Sequence, residues 1–413
     1  MPGAASRPAR TALSMLKRIR IAQLREGMYV HKIEGSWLEH SFWRSSFAVK
    51  ERKIIESLRA SGIAEVWIDT DKGLDVAKAA SGASATDADA PSGEPARIVL
   101  PGTRTTLGEE VAAAKKVYAK SRVVMRSLFT EARLGRAIDT GEAEALVDEI
   151  ASSLQRNPWA LVSVARLKTA DEYTYMHCVA VCALMMALAR HLGMDEREGR
   201  EAGLAGMMHD LGKAKMPLDI LNKPGRLTDE EFAVMKGHSE AGYKMLLEMG
   251  GGEVALEVCL HHHEKLDGTG YPHGLSGEQI SRYARMGAVC DVYDAVTSNR
   301  PYKKGWDPAE ALKRMATWDG HFDQHIFHAF VKSVGIYPIG SFVRLESGLM
   351  GVVVEQNEGS LLRPKVRTFF SAKSRAYVLP KIIDLAQSRS DDRILGPERP
   401  DAWGIARVAD FLA

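Results

Sequence analysis

The feature that most constrains the fold is the segment spanning residues 171–192, which has the length of a helix and is apolar on nearly every side. A helix without a polar face has to be enclosed by other parts of the protein or by lipid. Its most apolar part, Val179–Leu192, is shorter than a membrane span and is interrupted by Arg190 and His191. The sequence therefore predicts a buried central helix, and that helix contains His177.

Helical periodicity flanks this segment on both sides. Apolar residues recur at three- and four-residue spacing over Val111–Arg133 and over Gly141–Gln155, as they do in amphipathic helices. Further along, Thr228 and Glu231 form the capping-box pattern that begins a helix, and we expect this helix to include His238. The sequence predicts a mainly α protein.

Two regions of different composition lie on either side of the helical part. Residues 17–70 mix short alternating strands with a helix, and the sequence after Pro338 turns to β-branched runs such as Gly351–Val354. Before the helices, Ala79–Pro95 is rich in Ala, Ser, Gly, Asp and Pro, as flexible linkers are. We expect a disordered tail at residues 1–16, a small α+β domain at 17–76, a flexible linker at 77–100, a helical domain at 101–338 and a short β-rich appendage at 339–413.

Charge and cysteine usage exclude several classes of partner. The 55 basic and 53 acidic residues give a net charge of +2, which favours neither a nucleic acid polymer nor an acidic membrane as partner. The first twenty residues are basic but lack the apolar core of a signal peptide. The four cysteines form no CxxC pair, which is typical of buried thiols in a reducing cytosol. We expect a cytoplasmic protein.

Most of the metal-binding side chains occur in one part of the sequence. The string HHHEKLDGTGYP at 261–272 places three imidazoles beside two carboxylates. Further upstream, the His209-Asp210 pair offers a nitrogen and a carboxylate that can bridge two cations. Mixed imidazole and carboxylate ligands suit Fe, Mn or Zn better than Mg or Ca. The pattern suits a two-metal hydrolase acting on a phosphodiester, and its candidate ligands are His177, His209, Asp210, His238, His262, His263 and Asp291.

Each of these pieces alone has an ordinary alternative. A histidine in an apolar helix, such as His177, is often a hydrogen-bonded core residue. His262 and His263 also suit a helix C-terminus, where cations are favoured, and Gly268–Gly270 also suits a tight turn. A whole set of histidines and carboxylates on several apolar helices is harder to explain in these ways, because each buried polar group needs a partner. The ensemble therefore favours a metal centre.

Three longer segments carry a family resemblance. The strings HDLGK, HHHEKLDGTGYP and AVCDVYDAVTSNRPYKK, in this order, resemble the HD-GYP family of bacterial cyclic di-GMP phosphodiesterases over about residues 165–335. Residues 17–75 resemble a small N-terminal domain that often precedes HD-GYP modules. The resemblance implies an HD-superfamily helical bundle and hydrolysis of cyclic di-GMP to pGpG, and onward to GMP, with effects on biofilm and motility signalling.

The resemblance also implies a role for each matching residue. His177, His209, Asp210 and Asp291 would form the first metal site, and Asp210, His238, His262 and His263 the second, with Asp210 and a hydroxide bridging. His261 would be a bystander. Asp210 and Lys213 would be catalytic, with Lys213 reaching the scissile phosphate. The remaining substrate contacts implied by the family are Gly270, Tyr271, Pro272, Arg300 and Lys303.

One position departs from the family pattern. Some members hold a third metal with a Glu four residues before the first helix histidine, and here that position is Tyr173. A tyrosine, with its ordinary pKa near 10, is a poor ligand at neutral pH. Glu172 is rotated by roughly 100° around the helix and should not substitute. We therefore expect two divalent ions, Fe or Mn in the first place, while the ligands also admit Zn, Co or Ni.

Two alternatives to this enzyme stay open at the sequence level. The chain could be a non-catalytic cyclic di-GMP sensor or scaffold that docks a diguanylate cyclase (GGDEF) protein through the GYP loop, a contact that the family also implies for an active enzyme. It could also be an HD phosphohydrolase that acts on another nucleotide. The intact ligand set and the GYP segment favour the cyclic di-GMP phosphodiesterase.

Overall fold

The computed structural model divides the chain into two units, residues 1–99 with 358–361, and residues 100–357 with 362–413. The domain boundaries expected from composition stay a prediction, and most of the expected tail and all of the expected linker lie outside the described residues. The structure describes residues 16–33, 47–49, 52, 55, 65–74, 107–136, 140–157, 160–161, 173–299, 304–357, 359–387, 392–405 and 408–411.

The first unit contains a four-stranded antiparallel sheet. Its strands are β1 (Leu16–Arg20), β2 (Tyr29–Ile33), β3 (Phe47–Ala48) and β4 (Glu65–Asp69), in the spatial order β1-β4-β2-β3. Alternate residues of these strands point into one core, because side chains on a strand alternate between faces. That core includes Ile19, Val30, Val66 and Ile68.

The second unit is built from helices around one buried helix. The helices are α1 (Leu107–Leu134), α2 (Gly141–Arg156), α3 (Tyr173–His191), α4 (Glu196–Met208), α5 (Leu218–Leu221), α6 (Asp229–Lys236), α7 (His238–Glu248), α8 (Glu253–His261), α9 (Arg282–Thr297), α10 (Pro308–Met315) and α11 (Gln324–Val334). Helix α3 corresponds to the apolar segment identified in the sequence, and it packs against α1, α2, α4, α9 and α11.

Helices α3 and α4 approach each other closely because α4 presents glycine at the contact. A Cβ atom added at Gly206 would lie 3.1 Å from the backbone of Cys182 on α3. The backbones can therefore come within a distance that side chains would prevent. This contact positions the end of α4, where His209 and Asp210 lie, beside His177 of α3.

The prediction that one helix contains both Thr228 and His238 is wrong. Thr228 does cap a helix through the predicted box with Glu231, but that helix ends at Lys236, and His238 begins the next one. The break occurs at Gly237, whose N–H bonds back to Val234 and Met235 in a tightened final turn. Glycine is a poor helix former, which favours a helix boundary at this position.

The C-terminal part of the second unit is a five-stranded antiparallel sheet. Its core lies on both faces, with Val343 and Val353 on one side and Phe342 and Val352 on the other. The structure thus confirms the predicted mainly α fold class, a helical bundle with a small N-terminal sheet and a β-rich C-terminal part. The strands, in the order β8-β7-β6-β5-β9, are β5 (Phe342–Leu345), β6 (Leu349–Glu355), β7 (Lys365–Ser371), β8 (Ala376–Asp384) and β9 (Ile394–Pro397).

None of the helices in the described part of the chain has both the length and the apolar character needed to cross a membrane.

Candidate metal centre

The seven candidate ligands converge where five helices meet. They come from the second turn of α3, the end of α4, the start of α7, the end of α8 and the middle of α9. Ligand atoms lie within 4.8 Å of one another in each of three groups, and every member is buried except the partly buried His263. The groups are His177 with His209 and Asp291, His209 with Asp210 and His262, and His238 with His262 and His263.

Backbone carbonyls fix the protonation of three of these histidines. Nδ1 of His209 donates to the carbonyl of Gly206 at 2.7 Å, and Nδ1 of His238 donates to that of Met235 at 2.8 Å. Nδ1 of His262 donates to the carbonyl of Val258 at 2.9 Å. Because a carbonyl only accepts, Nδ1 of each neutral ring carries the proton and Nε2 keeps its lone pair.

These lone pairs point at Asp210 rather than at hydrogen-bond donors. Nε2 of His238 lies 3.3 Å from Oδ1 of Asp210, and Nε2 of His262 lies 3.9 Å from the same oxygen. Nε2 of His209 and Oδ1 of Asp210 are buried without a hydrogen-bond partner among the described residues. None of these electron-pair donors can satisfy another, whereas a cation satisfies all of them. The residues therefore fit a metal site.

His177 is held by two carboxylates of α9. Its Nε2 lies 2.9 Å from Oδ1 of Asp291, and its Nδ1 lies 2.6 Å from Oδ2 of Asp294. Asp294 is also buried, and it fixes the orientation of the ring from behind, as carboxylates commonly do for metal-binding histidines. The sequence reasoning missed Asp294. Its spacing of three residues from Asp291 on one helix was the available signal, because such residues share a face.

Burial and neighbouring charge set the protonation states of several groups in the cluster. Burial lowers the pKa of His263 to about 3 and lowers the pKa of His262 well below its ordinary range. Burial alone would raise the pKa of Asp210, but the charge of Lys213 and the nearby His209 hold it well below its usual value. At neutral pH His262 and His263 are therefore neutral and Asp210 is ionised, which are the forms that bind cations.

His177 differs from these two histidines. Burial alone would lower its pKa, but hydrogen bonds with Asp291 and Asp294 raise it. A cation bound by this ring would therefore have to displace a proton.

Lys213 lies beside the cluster on a 3-10 turn, Leu211–Lys215, rather than on a continuation of α4. Its ammonium pairs with Oδ2 of Asp210. Burial alone would lower the pKa of Lys213, but Asp210 and Asp291 raise it above its ordinary value. A permanent positive charge therefore sits at the edge of the candidate centre.

The GYP segment folds back onto the cluster. Gly270 has to be glycine, because a Cβ there would lie 2.5 Å from the backbone of Glu264 and Lys265. The buried Glu264 carboxylate accepts the N–H groups of His273 at 2.7 Å and Leu275 at 3.0 Å. Tyr271, which precedes Pro272 through a cis peptide bond, stacks on His263 with ring centroids 4.6 Å apart.

The other residues singled out in the sequence lie elsewhere or are not described. Nε2 of His261 lies 3.2 Å from Nδ1 of His273, and Nδ1 lies 3.3 Å from Glu257, so its ring faces away from the cluster. Arg300 and Lys303 lie outside the described residues, as does the Tyr173 side chain, and their roles stay predictions.

Comparison with known proteins places this arrangement in a family. Residues 147–326 match the family model described as HD domain, and residues 16–143 match a domain of unknown function, DUF3391. A cyclic di-GMP phosphodiesterase of Pseudomonas aeruginosa is 53% identical over 402 residues, covering 96% of this chain and 95% of that protein. The chain belongs to the HD-GYP family.

Two further relatives match a smaller part of the chain. A cyclic di-GMP phosphodiesterase response regulator of Xanthomonas campestris is 41% identical over 148 residues, which cover 35% of this chain and 39% of that protein. The 3'3'-cGAMP-specific phosphodiesterase 1 of Vibrio cholerae is 34% identical over 165 residues, which cover 40% of this chain and 38% of that protein. Family membership confirms the resemblance read from the sequence motifs.

Proposed function

We propose that this HD-GYP protein is a metal-dependent phosphodiesterase that hydrolyses cyclic di-GMP. The observation that carries the proposal is the convergence of unprotonated imidazole nitrogens on the buried Asp210 carboxylate, with Nε2 of His209 and Oδ1 of Asp210 unpaired among the described residues. The name of the Pseudomonas aeruginosa relative, which matches over nearly its whole length, supplies the substrate.

We infer that two ions share Asp210. His177, His209 and Asp291 would complete one site, and His238, His262 and His263 the other, because the ligand atoms of each group lie within 4.8 Å of one another. When bound, the ions would supply a water of lowered pKa and neutralise charge on the phosphoryl oxygens. Imidazole and carboxylate ligands favour Fe or Mn and also admit Zn, Co or Ni.

The chain's own residues would bind and orient the phosphodiester. Lys213 keeps its proton beside Asp210, so its ammonium can donate to a phosphoryl oxygen as negative charge develops there. Tyr271 forms the wall next to His263, and Gly270 and Glu264 hold it in place. Arg300 and Lys303 are proposed to hold the second phosphate of the substrate.

Several finer points belong to the same proposal. The first product would be pGpG, with GMP as the product of a second cut, and hydrolysis would lower a messenger that acts on biofilm and motility. A diguanylate cyclase partner at the GYP loop and a cytoplasmic location stay predictions.

A related activity is the main competing candidate. One relative, 34% identical over 165 residues, is named as specific for 3'3'-cGAMP, so similarity at this level does not fix the bases of the substrate. Digestion of cyclic di-GMP and 3'3'-cGAMP in parallel separates the two activities. A higher kcat/KM for 3'3'-cGAMP would replace the proposed substrate.

The test combines elemental analysis with product chromatography on protein purified without oxygen. We expect bound Fe or Mn and conversion of cyclic di-GMP to pGpG. Asp210→Asn keeps the shape of the shared side chain but removes its charge, so metal content and hydrolysis should fall together. Asp148→Asn, on the exposed face of α2, is the matched control. Binding of cyclic di-GMP without any cleavage by the metal-loaded protein would favour the sensor alternative.

A further inference from the structure

A group of three side chains extends outward from the candidate metal centre. Tyr271 stacks on His263, and the Phe232 ring on α6 meets the Tyr271 ring edge to face, with centroids 6.3 Å apart and planes at 85°. The Lys236 ammonium lies 4.9 Å from the centroid of Phe232 and 5.5 Å from that of Tyr271. We call Phe232, Lys236 and Tyr271 the aromatic–lysine cluster.

Core packing does not explain this cluster. No residue of α6 is buried, and Phe232 remains 44% exposed. The helix is nonetheless well fixed, because Thr228 and Glu231 cap it and Glu231 pairs with Lys223 at 2.6 Å. A well-anchored helix that presents an open aromatic ring towards a catalytic cluster is placed to contact a ligand.

Lys236 adds a cation with open hydrogen-bonding capacity. Within the described part of the chain, its ammonium contacts the two aromatic rings and has no carboxylate within ion-pair distance. An ammonium has three N–H donors and no acceptor. It can therefore donate to acceptors on the edge of a flat group that lies on these rings.

We propose that the aromatic–lysine cluster binds one guanine base of cyclic di-GMP, an inference that rests on the proposed function. A base stacks on aromatic rings whatever its identity. Guanine presents two acceptors on one edge, O6 and N7, which lysine recognises, whereas adenine replaces O6 with an amino donor. The exposed face of Phe232 thus supplies stacking, the Tyr271 ring borders the base at right angles to that face, and Lys236 distinguishes guanine from adenine. The contact of Tyr271 with His263 sets this base beside the phosphodiester held at the metal centre.

The test compares substrates with and without a base. For Phe232→Ala and Lys236→Met, kcat/KM is measured on cyclic di-GMP and on bis(p-nitrophenyl) phosphate, a phosphodiester that has no base. We expect the ratio of the two values to fall about tenfold in each variant, mainly through KM for cyclic di-GMP. Phe232→Trp should restore the ratio, because it keeps a stacking surface. Val234→Ala, an exposed position on the same helix, is the control and should leave the ratio unchanged.

A second measurement isolates the role of Lys236. Lys236→Met should reduce the preference for cyclic di-GMP over cyclic di-AMP, and Lys236→Arg should retain it. A parent protein that cleaves bis(p-nitrophenyl) phosphate but not cyclic di-GMP would overturn the proposed function. Suppose instead that the parent cleaves both substrates. An unchanged ratio in Phe232→Ala and Lys236→Met, or a parallel loss of activity on both substrates, would then overturn the base-binding role alone.

Discussion

Four histidines of the candidate centre are each held in place by a second group that accepts a hydrogen bond from the ring. The backbone carbonyls of Gly206, Met235 and Val258 hold three of the imidazoles, and mutation cannot easily remove them. His177 differs because a side chain, Asp294, holds it at 2.6 Å. The role of the supporting group can therefore be tested at this position.

Removing Asp294 should weaken metal binding without removing a ligand. Asp294→Ala frees the His177 ring, and Asp294→Asn keeps an acceptor but loses the charge, so we expect the larger effect from Ala. Outer partners of this type contribute roughly 10- to 100-fold to metal affinity. Competition with a chelator measures the loss directly. Asp319→Asn, at an exposed position, serves as the control. Unchanged metal affinity in Asp294→Ala would mean that α9 packing alone orients His177.

Lys213 should act on the rate more than on binding. Its pairing with Asp210 holds the ammonium at the edge of the cluster. In the proposed reaction, negative charge would develop there on a phosphoryl oxygen. We expect Lys213→Met to lower kcat on the order of a hundredfold with full metal loading and a smaller change in KM. Steady-state kinetics on metal-reconstituted protein provides the measurement. An unchanged kcat at full loading would return Lys213 to a purely structural ion pair.

The sequence identified the members of the candidate cluster better than the groups that support them. Asp210 and Asp291 stand in long motifs and His177 stands in the apolar segment, so pattern and resemblance both single them out. Asp294 stands in the same motif as Asp291, but its contact with His177 depends on which helices face each other, and Phe232 lies outside the motifs.

At the scale of elements, the 3-10 turn after α4 depends on close backbone contact with α7. A Cβ at Gly212 would lie 1.9 Å from the carbonyl oxygen of His238 and 2.4 Å from the backbone nitrogen of Gly242. Gly212→Ala should therefore push the turn and α7 apart and destabilise the protein by about 1–3 kcal/mol. Urea denaturation measures the free energy of unfolding. Gly252→Ala, at a position with φ −64° where nothing lies within 4 Å, controls for replacing a glycine that has open space. A stability equal to that of the parent would contradict this close contact.

The helix elements were predictable where a periodic apolar face or a capping box was present. The buried α3 and the start of α6 follow from such local signals. The end of α6 at Gly237 and the 3-10 turn after Asp210 do not, because tertiary contacts decide them. Both breaks adjoin candidate ligands, because Gly237 directly precedes His238 and the 3-10 turn directly follows Asp210.

The loop before α11 adds a pH-sensitive contact beneath the GYP segment. His321 stacks on Trp318 at 5.4 Å, its carbonyl accepts the N–H of Leu266 at 3.4 Å, and burial together with Lys265 lowers its pKa to about 4. An unfolded histidine has a pKa of about 6.5. Between these two values the unfolded chain binds a proton that the folded chain does not. The contribution of His321 is therefore complete above about pH 6.5 and is lost as the pH falls towards 4.

Replacing His321 should make stability less dependent on pH. We expect the metal-free parent to lose more stability than His321→Gln between about pH 7 and pH 5, by on the order of 1 kcal/mol. Urea denaturation at the two pH values provides the measurement. Equal losses in the two proteins would show that His321 takes up its proton as readily in the folded state as in the unfolded chain.

At the scale of the whole molecule, the candidate centre joins elements that are distant in the sequence. Its ligands come from α3, α4, α7, α8 and α9, which enclose the buried core of the second unit. Metal-free, the cluster leaves buried lone pairs and carboxylates facing one another, which opposes packing of these helices. Bound ions would stabilise the folded state in proportion to their affinity, because the unfolded chain does not assemble the site.

Metal removal should therefore lower the Tm of the protein together with the number of metal ions bound per chain. We expect protein reconstituted with excess Fe or Mn to hold close to two ions per chain. Chelation should lower the Tm by several degrees, because a loss of about 1 kcal/mol shifts the Tm of a domain of 150–250 residues by roughly 2–4 °C. Elemental analysis and calorimetry on the same samples provide both measurements. Asp210→Asn should show a low Tm with or without metal, because it disrupts both sites at once, whereas Asp148→Asn should follow the parent. A reproducible third ion, lost on substitution of Tyr173, would overturn the two-ion centre, and a Tm unaffected by chelation would show that the five helices pack without help from the metal.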